Sequence, residues 1–426
     1  MADASRGSNQ SKLYVPEPPF RPGDTPSYDH IEVPVAHTPP RPDPLCDAED
    51  TEEHATKLIR VLRFNSDAKG PWLPKTLTPD MMRKGLVDMM TVRALDRRMF
   101  NMQRQGKMSF YMKSTGEEAV SVAHSMALRP TDMTFPTYRQ QGILIERECP
   151  LYDIMCQLLS NKGDALQGKS LPVLYSFRDY GYFTVSGNLG TQLIQGVGWA
   201  MAAAYSGDDE VASVFTGEGA TAEGDFHYAL NFASTYRAPV IINVVNNQWA
   251  ISSFQGIALG AGETFAAKGT GYGLATLRVD GNDFLAVYAA TEWAAERARR
   301  GGGATVIEHY TYRSEGHSTS DDPTKYRPED EPEVWPFGDP VMRLRDHLYK
   351  IGEWDEARDD AARAQIAKDI RTAYKEAEKL GSLATQTNIP GETLFEEVYA
   401  ELPPHLIEQR EQFLEERIEA GMEGKE

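Results

Sequence analysis

The chain has 426 residues, of which 41% are hydrophobic and 25% are charged, and its formal net charge at pH 7 is −19. These proportions are near the globular average and exclude a disordered or fibrous protein, and the length allows one large α/β domain or two ordinary ones. A surface this acidic repels a phosphate backbone, so no nucleic-acid partner is expected.

The N-terminus and the cysteines favour an intracellular protein. The opening residues, MADASRGSNQSKLYVPEPPFRP, lack the charged start and the apolar run of a secretory signal. Cys46, Cys149 and Cys156 show no CxxC or zinc-type spacing, as expected of free thiols in a reducing compartment. The most apolar stretch, 193–205, is interrupted by Gln195 and is far shorter than the roughly 20 residues that span a bilayer. We therefore expect a cytoplasmic protein without membrane segments.

Residues 1–75 are rich in proline, especially from Pro16 onwards. Proline lacks a backbone N–H and fixes φ, so this segment is predicted to be an extended arm without regular helices or central strands. A solvated tail is one interpretation. Apolar and aromatic residues favour the other, an arm that wraps a partner, because disordered tails seldom keep so many. They include Leu13, Tyr14, Phe20 and Tyr28.

Periodicity indicates an α/β domain after the arm. Residues 81–102 place methionine and leucine on one helical face and arginine on the other. Between 185 and 315, the apolar runs VASVFTG, APVIINVVNN, ATLRVDG and ATVIEHYTYR alternate with amphipathic stretches, which predicts a parallel sheet with helices on both faces. Charged helices are expected over 355–380 and 405–419. The predicted organisation is an arm over 1–75, an α/β domain over 76–340 and a helical region over 341–426 packed on that domain.

Two neighbouring strands of this sheet end in oxygen-bearing side chains. VASVFTG leads into Glu218, flanked by Gly217 and Gly219, and the next strand leads into Asn247. Ligands bind outside the carboxyl ends of parallel strands, so both side chains should meet at one edge. Carboxylate and amide oxygens suit Mg²⁺, and a helix starting near Thr221 would direct its amides at a diphosphate. The pattern predicts a metal-bridged diphosphate site.

The segment that carries these residues, GEGATAEGDFHYALNFASTYRAPVIINVVNNQWAIS, resembles the thiamine diphosphate motif of 2-oxo acid dehydrogenases. The whole chain is similar to bacterial alpha subunits of the branched-chain 2-oxo acid dehydrogenase (2-oxoisovalerate dehydrogenase) family. The similarity runs through VPEPPFRPG, GPW, SFYMKSTGEEA, FPTYRQQ, SGNLGTQ, VDGNDF and EGHSTSDDPTKYRP. It implies a thiamine-diphosphate-binding α/β fold with a mostly parallel sheet, an extended N-terminal arm and C-terminal helices.

The resemblance implies two metal sites. Glu218, Asn247 and the main-chain carbonyl of Trp249 would hold Mg²⁺, which bridges the diphosphate. A second set of residues matches a site for a monovalent cation such as K⁺ near the cofactor: Ser186, Thr191 and Gln192.

It also implies the residues that contact thiamine diphosphate. Tyr138 and Arg139 of FPTYRQQ would contact the diphosphate, and a planar arginine fork suits phosphate oxygens. The remaining positions line the aminopyrimidine or offer main-chain amides to the diphosphate: Gly187, Leu189, Gly219 and Ala220. Phe110, Tyr111 and Met112 of SFYM are candidates for the pocket of a branched apolar substrate, with ordinary core packing as the alternative.

His317 lies in EGHSTSDDPTKYRP, which is too rich in Ser, Asp and Pro for a helix and therefore predicts a loop. The resemblance makes His317 the catalytic residue, at the diphosphate end, where it assists acyl transfer to a lipoyl group. It would be ordered by Arg313, Asp321, Tyr326 and Arg327. Ser318 matches a serine that is phosphorylated in mitochondrial members, but no such regulation is expected in a bacterial protein.

One departure from the family concerns the diphosphate. Mitochondrial members carry an arginine just before the asparagine pair, where this chain has Val245. Arg139, Mg²⁺ and the helix N-terminus must then neutralise more of the phosphate charge. We therefore expect weaker cofactor affinity.

The implied reaction is oxidative decarboxylation of a branched-chain 2-oxo acid with acyl transfer to a lipoyl-bearing transacylase core. The glutamate that activates the aminopyrimidine belongs to a separate beta subunit in this family, so an α₂β₂ heterotetramer is expected. The alternatives are an alpha subunit of a pyruvate or acetoin dehydrogenase, and a catalytically silent scaffold. A nicotinamide dehydrogenase is disfavoured, because Glu218 stands where its GxGxxG motif needs a small residue.

Overall fold

The computed structural model describes residues 16–34, 38–260, 262–386, 389–396 and 398–419. Leu13 and Tyr14 of the predicted arm lie outside the described residues, as do parts of the arm and of the C-terminal region. Among the residues described, no helix is long and apolar enough to cross a membrane.

A six-stranded sheet forms the centre of the structure, and every neighbouring pair of its strands is parallel. In spatial order the strands are β1, β7, β8, β4, β3 and β2. Their bounds are β1 Leu58–Ile59, β2 Met133–Phe135, β3 Ala212–Gly217, β4 Val240–Asn246, β7 Ala275–Asp280 and β8 Thr305–Tyr310, and a separate antiparallel hairpin pairs β5 Trp249–Ala250 with β6 Ser253–Phe254. The four strands predicted from the apolar runs are thus confirmed.

Helices cover both faces of the sheet. They are α1 Glu52–Thr56, α2 Pro79–Arg104, α3 Glu118–Met126, α4 Gln141–Glu146, α5 Leu151–Leu159, α6 Thr191–Ser206, α7 Gly224–Thr235, α8 Gly256–Leu259, α9 Ala267–Thr270, α10 Phe284–Arg299, α11 Pro340–Lys350, α12 Glu356–Glu378 and α13 Pro404–Glu419. Strand β4 shows the two-sided packing, because Ile241 and Val245 join a core with α2, α3 and α10, whereas Ile242 and Val244 join a core with α6 and α7. The predicted α/β architecture is confirmed.

The N-terminal segment differs from the prediction in its second half. Helix α1 and strand β1 form after the proline-rich stretch ends, and Leu58 and Ile59 are fully buried against β7. The residues from Glu52 to Arg63 contain no proline, so the backbone is free to form a helix and to pair as an edge strand. Upstream, the main chain still follows an irregular path over the domain, and the carbonyl of Pro39 accepts a hydrogen bond from Nε1 of Trp72 at 3.0 Å.

Candidate active site

An open cleft of about 750 Å³ lies at the carboxyl ends of β3 and β4. It brings together most of the residues that the sequence identified as candidates. Those that line it are Phe110, Tyr138, Arg139, Gly187, Leu189, Thr191, Glu218, Gly219, Ala220, Asn247, Trp249 and His317. Ser186, Gln192 and Tyr111 do not line it. Parallel strands therefore deliver residues that are distant in sequence to one edge, as expected for this class of fold.

Glu218 and Asn247 follow directly after the paired strands β3 and β4. Gly217, the last residue of β3, pairs with Val245 of β4. Glu218 is 2% exposed, and no described residue forms a hydrogen bond with its Oε1 atom. Burial raises the pKa of Glu218 to about 7, against the opposing effects of main-chain N–H groups and Arg313. A buried oxygen without a partner is costly, and a cation would satisfy it.

The α-helix after β3 begins later than predicted, and a tight turn precedes it. A 3₁₀ turn covers Gly219–Ala222, and α7 begins at Gly224 rather than near Thr221. A Cβ atom at Gly219 would lie 2.4 Å from Cβ of Ala250, so only glycine fits against the hairpin there. Gly219 and Ala220 both line the cleft.

The hairpin after β4 presents Trp249 to the cleft. Gln248 and Ile251 have φ values of 77° and 56°, a left-handed conformation that residues with a side chain seldom adopt. The main-chain oxygen of Trp249 accepts a hydrogen bond from Nη1 of Arg313 at 2.8 Å, and its indole Nε1 donates to Glu331 at 2.8 Å. Trp249 is thus fixed at both its carbonyl and its ring.

Two arginines surround His317. Arg139 and Arg313 each place an Nη atom 3.4 Å from Nδ1 of the imidazole. Burial, together with both guanidinium groups, lowers the pKa of His317 to about 3, so the ring is neutral at physiological pH. Among the described residues that line the cleft, these two arginines supply the fixed positive charge. Val245 is buried in the core and does not reach the cleft.

The loop that carries His317 is held by hydrogen bonds from its own residues. Asp321 accepts from the main-chain N–H of His317 at 2.6 Å and from the hydroxyl of Tyr326 at 2.5 Å. Arg327 donates to the main-chain oxygen of Arg313 at 2.7 Å. The ring of Tyr138 packs edge-on against His317, with centroids 5.7 Å apart. The four residues expected to order the loop therefore all contact it.

The residues proposed for a monovalent cation lie beside the cleft. The hydroxyls of Ser186 and Thr191 donate to the main-chain oxygen of Asn188, at 3.3 and 3.0 Å. The amide of Gln192 is buried, where it accepts from the N–H of Gly190 and donates to the oxygen of Phe215. The structure brings the three residues into one neighbourhood, but their polar atoms are occupied by main-chain partners.

Phe110 and Tyr111 point in opposite directions. Phe110 and the next residue but one, Met112, line the cleft. Tyr111 is fully buried, and its hydroxyl donates to Asp96 at 2.8 Å. Side chains alternate along an extended segment, so adjacent residues cannot both face one cavity. The prediction that Tyr111 lines the substrate pocket is therefore wrong, and the alternative of core packing holds for this residue.

Several residues in the cleft or next to it carry no clear signal in the sequence. Glu117 is buried and accepts a hydrogen bond from Nδ2 of Asn247 at 2.8 Å, yet nothing in the GEEA motif alone distinguishes it from its neighbour Glu118. Four apolar residues that line the cleft were also missed, because they lie in irregular segments without periodicity. These residues are Leu171, Val173, Leu174 and Ile251.

Arg139 and Arg313 give the cleft two cationic groups. Glu218 lines the same cleft, and its Oε1 atom has no hydrogen-bond partner within the part of the chain that the structure describes. In the part of the chain that the structure describes, no three His, Cys, Asp or Glu side chains converge to hold a metal by themselves. A divalent ion at Glu218 and Asn247 would therefore need further oxygen ligands from phosphate and water, as Mg²⁺ commonly does.

Comparison with known proteins identifies relatives over nearly the whole chain. Residues 87–386 match the family described as dehydrogenase E1 component, and residues 9–49 match the 2-oxoisovalerate dehydrogenase E1 alpha subunit N terminal family. The chain is 52% identical to the 2-oxoisovalerate dehydrogenase subunit alpha of Pseudomonas aeruginosa, over 94% of this chain and 98% of the relative. It is 39% identical to the mitochondrial subunit alpha of Bos taurus, over 83% and 76% of the two chains. The corresponding alpha 2 subunit of Arabidopsis thaliana is 38% identical over 78% and 69%.

Proposed function

The chain belongs to the dehydrogenase E1 component family, and from this premise we propose that it is the alpha subunit of a 2-oxoisovalerate dehydrogenase. It takes part in the thiamine-diphosphate-dependent oxidative decarboxylation of branched-chain 2-oxo acids and in transfer of the acyl group to a lipoyl group. The expectation of an oxidoreductase from the sequence motifs agrees with the names of its relatives.

The proposal depends on one observation, which is that two cationic groups and a buried acid line the same cleft. Arg139 and Arg313 converge on His317, and Glu218 offers a buried oxygen that lacks a partner. An anion with several oxygens, bridged by a divalent cation, would satisfy both sides together. Either ligand alone would leave buried charge uncompensated, which is costly.

The residues that would hold the metal are Glu218, Asn247 and the main-chain oxygen of Trp249. Oδ1 of Asn247 accepts a hydrogen bond from the N–H of Trp249 at 3.2 Å, and a carbonyl oxygen has a second lone pair for a cation. The oxygen of Trp249 already accepts from Arg313, so Mg²⁺ would share it or displace the guanidinium. A K⁺ ion at Ser186, Thr191 and Gln192 remains part of the proposal as a neighbouring structural site.

Thiamine diphosphate supplies the chemistry of this family by accepting the electron pair that is left when carbon dioxide departs from the 2-oxo acid. The chain's own residues would bind and orient the cofactor. Arg139 and the amides of Gly219 and Ala220 would face the diphosphate, and Gly187 and Leu189 the aminopyrimidine. His317 is neutral in this cleft because burial and the two arginines lower its pKa to about 3, so its ring can accept a hydrogen bond during acyl transfer.

Apolar residues of the cleft favour a branched substrate. Phe110, Met112, Leu171 and Val173 line the cleft, and a branched alkyl chain that packs against them would be removed from water. Pyruvate and acetoin offer much less apolar surface and gain less there. A silent scaffold is disfavoured because the groups that a metal-bound diphosphate needs are all present.

The proposed partners supply the acid and the lipoyl group that the reaction needs. We propose that a beta subunit covers the cleft in an α₂β₂ heterotetramer and supplies the acid that activates the aminopyrimidine, and that a lipoyl-bearing transacylase core accepts the acyl group. In this assembly 76–340 is the cofactor-binding domain, 341–426 packs on it, and the arm within 1–75 contacts the partner.

The test is to purify the chain with and without a co-expressed beta subunit and to assay decarboxylation with thiamine diphosphate and Mg²⁺. We expect activity only from the complex, with 3-methyl-2-oxobutanoate preferred over pyruvate. A strong preference for pyruvate would overturn the substrate class, and activity of the lone chain would overturn the shared active site.

A further inference from the structure

Glu117 is a buried carboxylate next to the cleft that the roles above leave unassigned. It is 3% exposed, and its Oε1 atom accepts a hydrogen bond from Nδ2 of Asn247 at 2.8 Å. The same oxygen lies 3.6 Å from Nε of Arg139. One carboxylate therefore touches both a residue proposed to hold the metal and a residue proposed to hold the diphosphate.

The backbone fixes the position of Glu117. The preceding residue, Gly116, has φ of 98°, and a Cβ atom there would lie 2.2 Å from the main-chain oxygen of Tyr312. Glycine thus allows this turn to pass directly against the segment after β8. The N–H of Glu117 donates to the oxygen of Ser114 at 2.9 Å, and α3 starts at the next residue. The carboxylate is held at the end of a helix rather than on a mobile loop.

The orientation of Asn247 matters because its two polar ends are not equivalent. Only the amide oxygen binds a cation, whereas the NH₂ end repels it. Because Oε1 of Glu117 is a hydrogen-bond acceptor here, a flipped amide would place its own oxygen against this acceptor. The N–H of Trp249, which donates to Oδ1 of Asn247, favours the same orientation. Glu117 holds the NH₂ end and leaves the oxygen for the metal.

The two buried acids of the site have different chemistry. Among the described residues none hydrogen-bonds to Oε1 of Glu218, which leaves this oxygen for a cation. Oε1 of Glu117, in contrast, accepts a hydrogen bond from Asn247 and lies 3.6 Å from Nε of Arg139. A carboxylate oxygen that is already hydrogen-bonded and ion-paired is a poor metal ligand. Resting on the proposed function, we propose that Glu117 is a positioning residue that fixes the amide of Asn247 so that its oxygen faces Mg²⁺.

Two conservative variants separate positioning from charge. Glu117→Gln keeps the length of the side chain and an accepting oxygen but removes the charge. Glu117→Asp keeps the charge but withdraws the oxygen from Asn247. Mn²⁺ serves as the probe, and its binding to the complete complex with the beta subunit and thiamine diphosphate is measured by electron paramagnetic resonance. We expect the Gln variant to bind within about threefold of the parent and the Asp variant about tenfold or more weakly, as is typical when a partner of a metal ligand is lost.

A double-mutant cycle and a matched control complete the test. In an Asn247→Ala background, Glu117→Asp should cause no further loss, because the amide that it positions is gone. Glu118→Gln is the control, since Glu118 is equally buried but pairs with Arg93 at 2.7 Å, and it should bind Mn²⁺ like the parent.

Three results would overturn the role of Glu117: parental affinity in the Asp variant, a Gln variant as weak as the Asp variant, or additive losses in the cycle. A parent complex that fails to bind Mn²⁺ would instead overturn the metal site of the proposed function, and the role of Glu117 with it. Mn²⁺ binding by the parent complex distinguishes the two failures.

Discussion

Nη1 of Arg313 donates a hydrogen bond to the main-chain oxygen of Trp249 at 2.8 Å, which ties the loop after β8 to the hairpin after β4. The same guanidinium donates to the main-chain oxygen of Ile251 and to the hydroxyl of Tyr326, both at 2.8 Å. A single planar side chain therefore joins two positions of the hairpin after β4 to the loop after β8. An ammonium group has neither this fork nor this reach to separate acceptors.

We predict that Arg313→Lys loosens the cleft without unfolding the chain. Because hydrogen bonds to charged groups contribute about 1.5–3 kcal/mol each, the loss of one or more should weaken thiamine diphosphate binding by about tenfold or more. The measurement is titration of the apo complex with the cofactor, alongside limited proteolysis of the His317 loop. Arg358→Lys, in the exposed part of α12, is the control and should behave like the parent. Parental affinity in Arg313→Lys would contradict the linkage.

We predict that Glu218→Gln and Asn247→Ala each weaken Mg²⁺ binding, because each removes an oxygen from the proposed coordination. The change is measured as the Mg²⁺ concentration that gives half-maximal binding of thiamine diphosphate in the complete heterotetramer, and a rise of about tenfold or more is expected. Glu223→Gln is the matched control, since Glu223 lines the same cleft but is exposed. Variants of Glu218 and Asn247 that bind metal and cofactor like the parent would refute the site.

A pair of core histidines predicts a pH dependence of stability. Burial lowers the pKa of His309 to about 3, and burial followed by His309 and Arg147 lowers that of His124 well below its usual range. Nε2 of His309 lies 2.9 Å from Oδ1 of Asn243, which joins β8 to β4, and Nε2 of His124 lies 2.6 Å from the hydroxyl of Ser213, which joins α3 to β3. The folded state binds fewer protons than the unfolded state, so this stability is complete above about pH 6.5 and is lost as the pH falls towards 3.

Carboxyl groups with raised pKa, such as that of Glu118 at about 7, act in the opposite direction, so the difference in slope between variants is the useful quantity. His309→Gln removes one titrating group. Between pH 6.5 and 4.5, we expect the free energy of unfolding of this variant to fall less steeply than that of the parent, by up to about 1.4 kcal/mol per pH unit. Thermal unfolding of both proteins across this pH range measures the difference. His405→Gln, on the exposed surface of α13, should retain the parental slope. Equal slopes for His309→Gln and the parent would disprove the linkage.

The sequence predicted the sheet and the cleft for physical reasons that also explain what it missed. Buried parallel strands such as VIINVVN appear as continuous apolar runs, and strand ends locate Glu218 and Asn247 without knowledge of side-chain packing. The role of Glu117 depends on a contact across 130 positions of the chain, which no local pattern encodes. Strand β1 was missed because two residues are too few to show alternation.

The N-terminal arm contacts the back of the hairpin that carries Trp249. Nε2 of His30 lies 3.1 Å from Oε2 of Glu331, and its ring packs edge-on against Trp249 and Phe254, with centroids 6.3 and 5.1 Å apart. Glu331 also accepts from Nε1 of Trp249 at 2.8 Å, so the arm and the hairpin share one carboxylate. We predict that His30→Ala releases the arm and lowers cofactor affinity severalfold with little change in global stability.

The measurement for His30→Ala is hydrogen exchange of the 249–254 hairpin together with cofactor titration. Faster exchange there, with unchanged exchange in β4, is the expected result. Asp29→Ala, at an exposed position next to His30, serves as the control and should leave hairpin exchange unchanged. If His30→Ala leaves hairpin exchange and affinity at parental values, the arm does not support the cleft.

The opposite directions of Phe110 and Tyr111 give a paired prediction for substrate recognition. Phe110 lines the cleft, so Phe110→Ala should raise the KM for 3-methyl-2-oxobutanoate and reduce kcat/KM by about tenfold, in line with the apolar contact that is lost. Tyr111→Phe removes only the hydroxyl that donates to Asp96 at 2.8 Å. It should cost about 1 kcal/mol of stability and leave kcat/KM near the parental value. Steady-state kinetics of the assembled complex and thermal unfolding of each variant separate the two effects. A kinetic defect confined to Tyr111→Phe would show that the pocket lies on the other side of this segment.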